Sequence, residues 1–298
     1  MNTFDLQIQS TASDGKYSPR ELVRKAGELG LTTIALTDHD TVGGLAEAIA
    51  AGQDFGVEVI PGIEFSCHQK NLGLHILGYG IDIANQQLLA SLEKIRVSRI
   101  SRAREMVRRL KEQGFSVEYE NVERRALGGI VGRPHIVDEI LGNPANRERL
   151  GGIQTMSDFI RAHLVRGKPA NVESNDFNSQ EAVNLIQQAG GAAVWSHPAV
   201  HFTETLEGLE SVLKALVIFG LDGVEVFNPS HTESAVKFLF DLSERYKLIR
   251  TAGSDFHREP APGISGEGGA TLGDFATHGL STVDILPKLK AKMARQSR

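Results

Sequence analysis

The chain has 298 residues, 41% of them hydrophobic and 23% charged, with a formal net charge of -5. That is enough apolar sequence for one large α/β domain, and it excludes a protein built to coat long nucleic acid, whose phosphates demand a cationic surface. The one cysteine, Cys67, excludes an internal disulfide and fits a reducing compartment. No run approaches the ~20 apolar residues that span a bilayer, and Met1-Asn2-Thr3-Phe4-Asp5 has neither the basic nor the apolar part of an export signal. A cytoplasmic protein with no membrane and no obligate protein partner is the expectation.

In chain order, β-like runs fall at Phe4 to Ile8, Thr33 to Leu36, Val57 to Ile60, Leu74 to Tyr79, Ala192 to Trp195, Gly223 to Phe227 and Leu248 to Thr251. Helix-length amphipathic segments separate most of them, and such alternation implies a parallel sheet, open or closed into a barrel. The first helix is the best marked: Ser18 as N-cap, Pro19 at the first position, Glu21 at the third and Gly30 as a stop. Alternation fails between about Gln86 and Gln180, where the chain reads as helical, most clearly from Leu88 to Gln113. The expected organisation is a barrel from residues 1–85 and 181–298 with a helical insertion domain at 86–180. The arginines at 96, 99, 102, 104, 108 and 109 read as a solvated helix face. The Gly/Pro-rich stretch from Pro260 to Gly273 reads as a loop.

Carboxylates and imidazoles recur just after these strands. Asp14 follows the first, Asp38 and His39 the second, Glu64 the third, His197 the fifth, and Asp255 with His257 the last, while His75 lies within the fourth. In a barrel of alternating strands and helices, such positions converge on one face. Mixed oxygen and nitrogen ligands suit divalent first-row ions, with a carboxylate such as Glu64 able to bridge two of them. Each residue alone has a plainer reading. His75 reads as a hydrogen-bonded core residue, Ser13-Asp14-Gly15 as a turn, Glu64 as an exposed charge and His197-Pro198 as a strand terminator. Asp40 reads best as a cap for a helix beginning near Gly43, and His39 best as a ligand. Recurrence at one topological position is what favours metal binding for the set.

The ordered motifs Ser13-Asp14-Gly15, Thr37-Asp38-His39-Asp40, Pro61-Gly62-Ile63-Glu64, Leu74-His75-Ile76, Ser196-His197-Pro198 and Ser254-Asp255-Phe256-His257 resemble the PHP family, named for polymerase and histidinol phosphatase domains. The resemblance covers nearly the whole chain. With Gly132-Arg133-Pro134-His135 and Gly167-Lys168-Pro169, the helical insertion resembles the branch that hydrolyses nucleoside 3′,5′-bisphosphates and short oligonucleotides.

The resemblance implies an α/β fold, a distorted (β/α)7 barrel, with two or three divalent ions. Mn²⁺ is the first choice and Zn²⁺ or Fe²⁺ the alternatives. By motif, one ion belongs to residues 7 and 9 with Glu64 and Asp255, a second to Glu64, His75 and His197, and a third to Asp14, His39 and His257. Here the chain departs from the pattern, because the family's His-x-His is Gln7-Ile8-Gln9. A carboxamide oxygen is a poorer ligand than imidazole, so Gln7 and Gln9 are expected to be weak or absent ligands. The pair leaves open a natural two-ion enzyme, an introduced double substitution and a relative that has lost catalysis.

The expected reaction is in-line attack of a metal-bound hydroxide on a phosphate monoester, with no protein nucleophile. Arg133 and Lys168 are the candidates for gripping phosphate, and His135 for touching it or protonating the leaving group. The expected substrate is a phosphorylated small molecule or a short oligonucleotide. A small-metabolite phosphatase of the histidinol phosphate type and a catalytically impaired nucleotide-binding module are the alternatives.

Overall fold

β1 (Phe4–Ile8), β2 (Thr33–Leu36), β3 (Glu58–Gln69), β4 (Leu72–Tyr79), β5 (Ala192–Trp195), β6 (Gly223–Phe227) and β7 (Ile249–Ala252) lie side by side in chain order in a computed structural model that describes residues 2–173, 177–202, 206–259 and 270–296. At the seam Ile8 bridges Phe256, and Gln9 N donates to Phe256 O at 2.9 Å, so the sheet curls into a nearly closed, distorted barrel. Of the Pro260 to Gly273 stretch expected as a loop, residues 260–269 lie outside the described residues. No helix among the described residues is long and apolar enough to cross a membrane.

The barrel departs from strict alternation at β4, which runs antiparallel to both β3 and β5. The cause is local. No helix separates β3 from β4, and Lys70, at φ +55°, turns the chain straight back into a hairpin. The expected strand ending at Ile60 instead continues to Gln69, because at Pro61-Gly62 it changes partner rather than stopping: Pro61 pairs with Leu36 of β2, and Gly62 with Tyr79 of β4.

Helices α1 (Pro19–Glu28) and α2 (Leu45–Phe55) connect the first three strands, and α7 (Ser179–Gln188), α8 (Leu209–Ile218), α9 (Glu233–Arg245) and α10 (Ile285–Gln296) accompany the later ones. Ser18 and Glu21 close the capping box of α1 as the sequence specifies. Between β4 and α7 lie α3 (Gln86–Glu112), α4 (Tyr119–Arg125), α5 (Arg133–Gly142) and α6 (Met156–Phe159). Leu88 and Leu92 at the start of α3 pack into the barrel core, whereas Ala103, Met106 and Leu110 further along join Phe115, Ile136 and Phe159 in a second apolar cluster.

This second cluster is moored to the barrel beside Asp14. Ile130 N donates to Ala12 O at 3.0 Å, and a Cβ at Gly129 would lie 2.6 Å from the carbonyl oxygens of Thr11 and Ala12, so only glycine allows that approach.

Asp5 ties the seam from within. Its fully buried carboxylate accepts from Ser254 N at 2.9 Å, Ser254 Oγ at 2.5 Å, Gly273 N at 2.8 Å and Gln7 N at 3.2 Å. Asp5→Ala strands several of these donors at once, and a loss of about 3–5 kcal/mol of stability is expected in urea unfolding. A loss below about 1 kcal/mol would contradict this account of the seam.

Candidate metal centre

The strand ends deliver the expected side chains to one place. The pairing of β2 with β3 extends past both strands through a bridge between His39 and Glu64, with Glu64 N donating to Asp38 O at 3.2 Å and Asp40 N to Glu64 O at 3.0 Å. In the hairpin register His75 stands opposite Ser66 and turns its ring to Glu64, which settles its phase on β4. Asp38 is fully committed to the loop after β1, accepting from Ser10 N, Ser10 Oγ and Ser13 Oγ, each at 2.7 Å. That leaves Asp14 free to face the centre. Asp40, His197 and Asp255 sit at φ +52°, +28° and +55°. These are left-handed conformations that cost non-glycine residues about 1–3 kcal/mol each and gather at functional sites.

Glu64 is the hub. It is fully buried, with His75 Nδ1 at 2.9 Å and His197 Nε2 at 3.1 Å from Oε1, and His39 Nδ1 at 3.7 Å from Oε2. Burial alone would raise its pKa, but the imidazoles of His39, His75 and His197 hold it well below the usual carboxylate range. Burial lowers the pKa of His197, yet Glu64 outweighs it and pushes the ring up to about 9. Beside this group, His257 Nε2 lies 3.4 Å from Asp14 Oδ1, and the His39 and His257 ring centroids are 6.0 Å apart. Asp14 has the same balance: burial raises its pKa, and His257 and His39 bring it down to about 2.

Two groups fit divalent ions. Asp14, His39 and His257 bring ligand atoms within 4.8 Å of one another, and so do His39, Glu64 and His75. His75 Nδ1 and His197 Nε2 are 3.2 Å apart, so with Glu64 Oε1 they keep the roughly 3 Å spacing of neighbouring ligands around an ion with bonds of about 2.1 Å. Asp14 Oδ1 and His39 Nδ1, both in the first of these groups, are buried without a hydrogen-bond partner among the described residues, a state that polar atoms adopt where a ligand is missing. Residues 7 and 9 behave otherwise. Gln7 Nε2 donates to Glu64 Oε1 at 3.2 Å and Gln9 Nε2 to Glu64 Oε2 at 2.8 Å, so it is their amide nitrogens that face the carboxylate.

The PHP domain family model matches residues 5–115. A 3′,5′-nucleoside bisphosphate phosphatase from Chromobacterium violaceum is 34% identical over 275 residues, 92% of this chain and 91% of that protein. The chain belongs to the PHP family. A 5′-3′ exoribonuclease from Haemophilus influenzae is 30% identical over 254 residues, 85% of this chain and 89% of its own length. Among solved structures, a protein described as a metal-dependent phosphoesterase from Bifidobacterium adolescentis superposes with a TM-score of 0.82 at 26% identity, covering 97% of this chain and 96% of that one. This PHP protein is a metal-dependent hydrolase acting on phosphoester bonds.

A cavity of about 250 Å³ opens from Asp14, His39 and His75 toward the helices of the second cluster, lined there by Arg99, Arg102 and Arg133 and by apolar Met106, Val131 and Ile160. Arg133 is the first residue of α5 with Gly132 as its N-cap, so Gly132 and Pro134 start a helix. Its guanidinium senses Asp14 and Arg99 and pairs with no carboxylate among the described residues. Burial and Arg99 push its pKa down, and Asp14 opposes them. His135 uses Nδ1 to accept from Gly132 N at 3.0 Å, a capping role. Lys168 is exposed, and the structure does not bring it to the cavity.

Two readings from local pattern are corrected. Asp40 caps no helix: α2 begins at Leu45 behind Gly44, and Asp40 instead accepts from Ser66 N at 2.9 Å and from Arg99 Nε at 2.7 Å. Arg99 in turn donates to Ser66 Oγ at 2.8 Å, and Arg102 Nε donates to Val172 O at 2.7 Å, so these two arginines face inward from α3 rather than water. A signal was present, since Arg99, Arg102, Ala103 and Met106 share the i, i+3, i+4, i+7 face of one helix.

Chelation should lower the melting temperature of the protein and Mn²⁺ should restore it. At free ion 100 times the Kd the gain is about 2.7 kcal/mol per site. His39→Ala should remove about half of the gain, that of the ion placed with Asp14, His39 and His257, and leave the gain from Glu64, His75 and His197. Melting curves that ignore both chelator and Mn²⁺ would contradict the assignment.

Proposed function

We propose that this protein removes a phosphate from small nucleotides that carry a second phosphate, nucleoside 3′,5′-bisphosphates or the ends of short oligonucleotides, and that residues 86–180 form the insertion that reads that second phosphate. The observation that carries the reading is Arg133: a guanidinium without a carboxylate partner among the described residues, lining the same cavity as Asp14, His39 and His75. An unpaired, half-buried cation lowers its energy by meeting an anion, and a guanidinium offers phosphate two parallel hydrogen bonds. Arg99, held in place by Asp40 and Ser66, lines the cavity beside it. The apolar wall of Met106, Val131 and Ile160 suits the uncharged body between two phosphates. The phosphatase activity in the name of the Chromobacterium violaceum relative and the ribonuclease activity in that of the Haemophilus influenzae relative both fit such a substrate.

Divalent ions, Mn²⁺ in this reading, would be held by Asp14, His39 and His257 and by Glu64, His75 and His197, and would neutralise phosphoryl oxygens and acidify water. The chain's own residues do the rest. Glu64 holds three imidazoles in register through Oε1 and Oε2, Asp38 fixes the loop that carries Asp14, and the arginines orient the ester toward the centre. No described side chain is needed as a nucleophile. The lone buried thiol of Cys67 is consistent with a cytoplasmic setting. A second reading, binding without turnover, draws on Gln7 and Gln9, whose amides turn nitrogen rather than oxygen toward Glu64.

Arg133→Leu is expected to lower kcat/KM for adenosine 3′,5′-bisphosphate about tenfold to a hundredfold, the worth of a charged hydrogen bond of about 1.5–3 kcal/mol. The same change should leave turnover of p-nitrophenyl phosphate within about threefold, since that ester has no second phosphate. Phosphate release with Mn²⁺ measures both. Equal losses on the two esters would contradict the reading, and bisphosphate binding without phosphate release would favour the non-catalytic one.

A further inference from the structure

Gln7 does not choose its orientation freely. The chain of constraints starts at a backbone N–H, which cannot reverse: Ser230 N donates to Asn228 Oδ1 at 3.0 Å, and Ser230 Oγ reaches the same oxygen at 2.6 Å. Asn228 must therefore turn Nδ2 the other way, toward Glu225 Oε2 at 3.1 Å and Gln7 Oε1 at 3.4 Å. Glu225 is fixed from its other side, because Oε2 also accepts from His197 N at 2.9 Å. With Oε1 committed to Asn228, Gln7 presents Nε2 to Ser196 Oγ at 2.9 Å and to Glu64 Oε1 at 3.2 Å. Ser196 Oγ spends its own proton on Glu64 Oε1 at 3.0 Å and so has only a lone pair to offer Gln7.

We propose that this relay, Ser230 to Asn228 to Gln7 to Glu64, closes the ion position of residues 7 and 9, and that the chain holds ions only through its two other ligand groups. The inference rests on the metal-centre reading above and concerns one position within it. A cation beside Glu64 at this point would face the hydrogens of the Gln7 amide. Turning that amide would set its NH₂ against the NH₂ of Asn228 and leave fully buried donors unpaired, at about 1–3 kcal/mol each. Gln9 is not held in the same way. Its Nε2 donates to Glu64 Oε2 at 2.8 Å, but its Oε1 is buried with no hydrogen-bond partner among the described residues, so it can turn at less cost. One neutral carboxamide oxygen is then all that residues 7 and 9 could supply, against the two imidazole nitrogens of the family's pattern. The amide hydrogens take over part of what an ion would do, since they give both oxygens of Glu64 a positive partner without adding net charge.

The test is a metal count. The full chain is equilibrated with excess Mn²⁺, desalted and analysed by inductively coupled plasma mass spectrometry, alongside Gln7→His/Gln9→His and Gln7→Leu/Gln9→Leu, with circular dichroism confirming that each is folded. The expected result is two ions on the unaltered chain, three on the histidine variant, and two on the leucine variant, which loses both amides but no ion ligand. Three ions on the unaltered chain, no gain with histidine, or a loss of one with leucine overturns the proposal, and the first of these needs no variant to fold. No bound ion on any protein would instead overturn the metal-centre reading on which the proposal stands.

Discussion

A carboxylate with no exposed surface is tolerable only when its charge is met, and Glu64 sets that requirement at the centre of the barrel. Donors reach it from β1 and its exit through Gln7 and Gln9, from β4 through His75, and from the β5 exit through Ser196 and His197, while His39 of the β2 exit stands 3.7 Å away. The demand is unusual in that it is met from most of the sheet at once. A displacement of one strand end relative to another would leave either a buried anion or a buried donor unpaired. The strained backbone at Asp40, His197 and Asp255 is tolerated because these contacts over-determine it.

The second apolar cluster turns this charged face into a pocket with a wall. It does so through a few contacts that each bind the helices to a loop carrying a residue of the proposed centre: Gly129 and Ile130 against the loop of Asp14, and Arg99 against Asp40, the neighbour of His39 in sequence. Arg258, next to His257, lies 3.5 Å from Asp138 of α5 and adds a third mooring. The arginines that line the cavity and the carboxylates and imidazoles of the proposed centre are therefore tied into one arrangement. Their relative positions do not depend on the long α3 alone, which joins both cores.

What the sequence made legible was whatever the barrel itself constrains. His39, His197 and His257 each follow an apolar strand and Glu64 follows the apolar run that opens β3, and the exit of a barrel strand leads to only one face, so their convergence could be read without coordinates. What was not legible depends on tertiary partners. Gly132-Arg133-Pro134 and Gly167-Lys168-Pro169 look alike as local patterns, yet one starts a helix over the cavity and the other lies on the surface. Asp40 is of a residue type that favours helix caps, and a longer-range partner, Arg99, claims it. Glu225 sits inside the apolar run Gly223–Phe227 and gave one hint of a polar network, a charge in a central strand, but neither Asn228 nor the direction of the Gln7 amide can be inferred from periodicity.

The account stands on divalent ions seated between Glu64 and its imidazoles and between Asp14, His39 and His257. Anomalous diffraction from crystals equilibrated with Mn²⁺, collected at the manganese edge, locates such ions without reference to activity. The account predicts peaks about 2.2 Å from ligand atoms of Asp14, His39 and His257 and from those of Glu64, His75 and His197. Crystals in which those atoms surround no anomalous density, or in which Mn²⁺ sits away from Glu64 altogether, would contradict it.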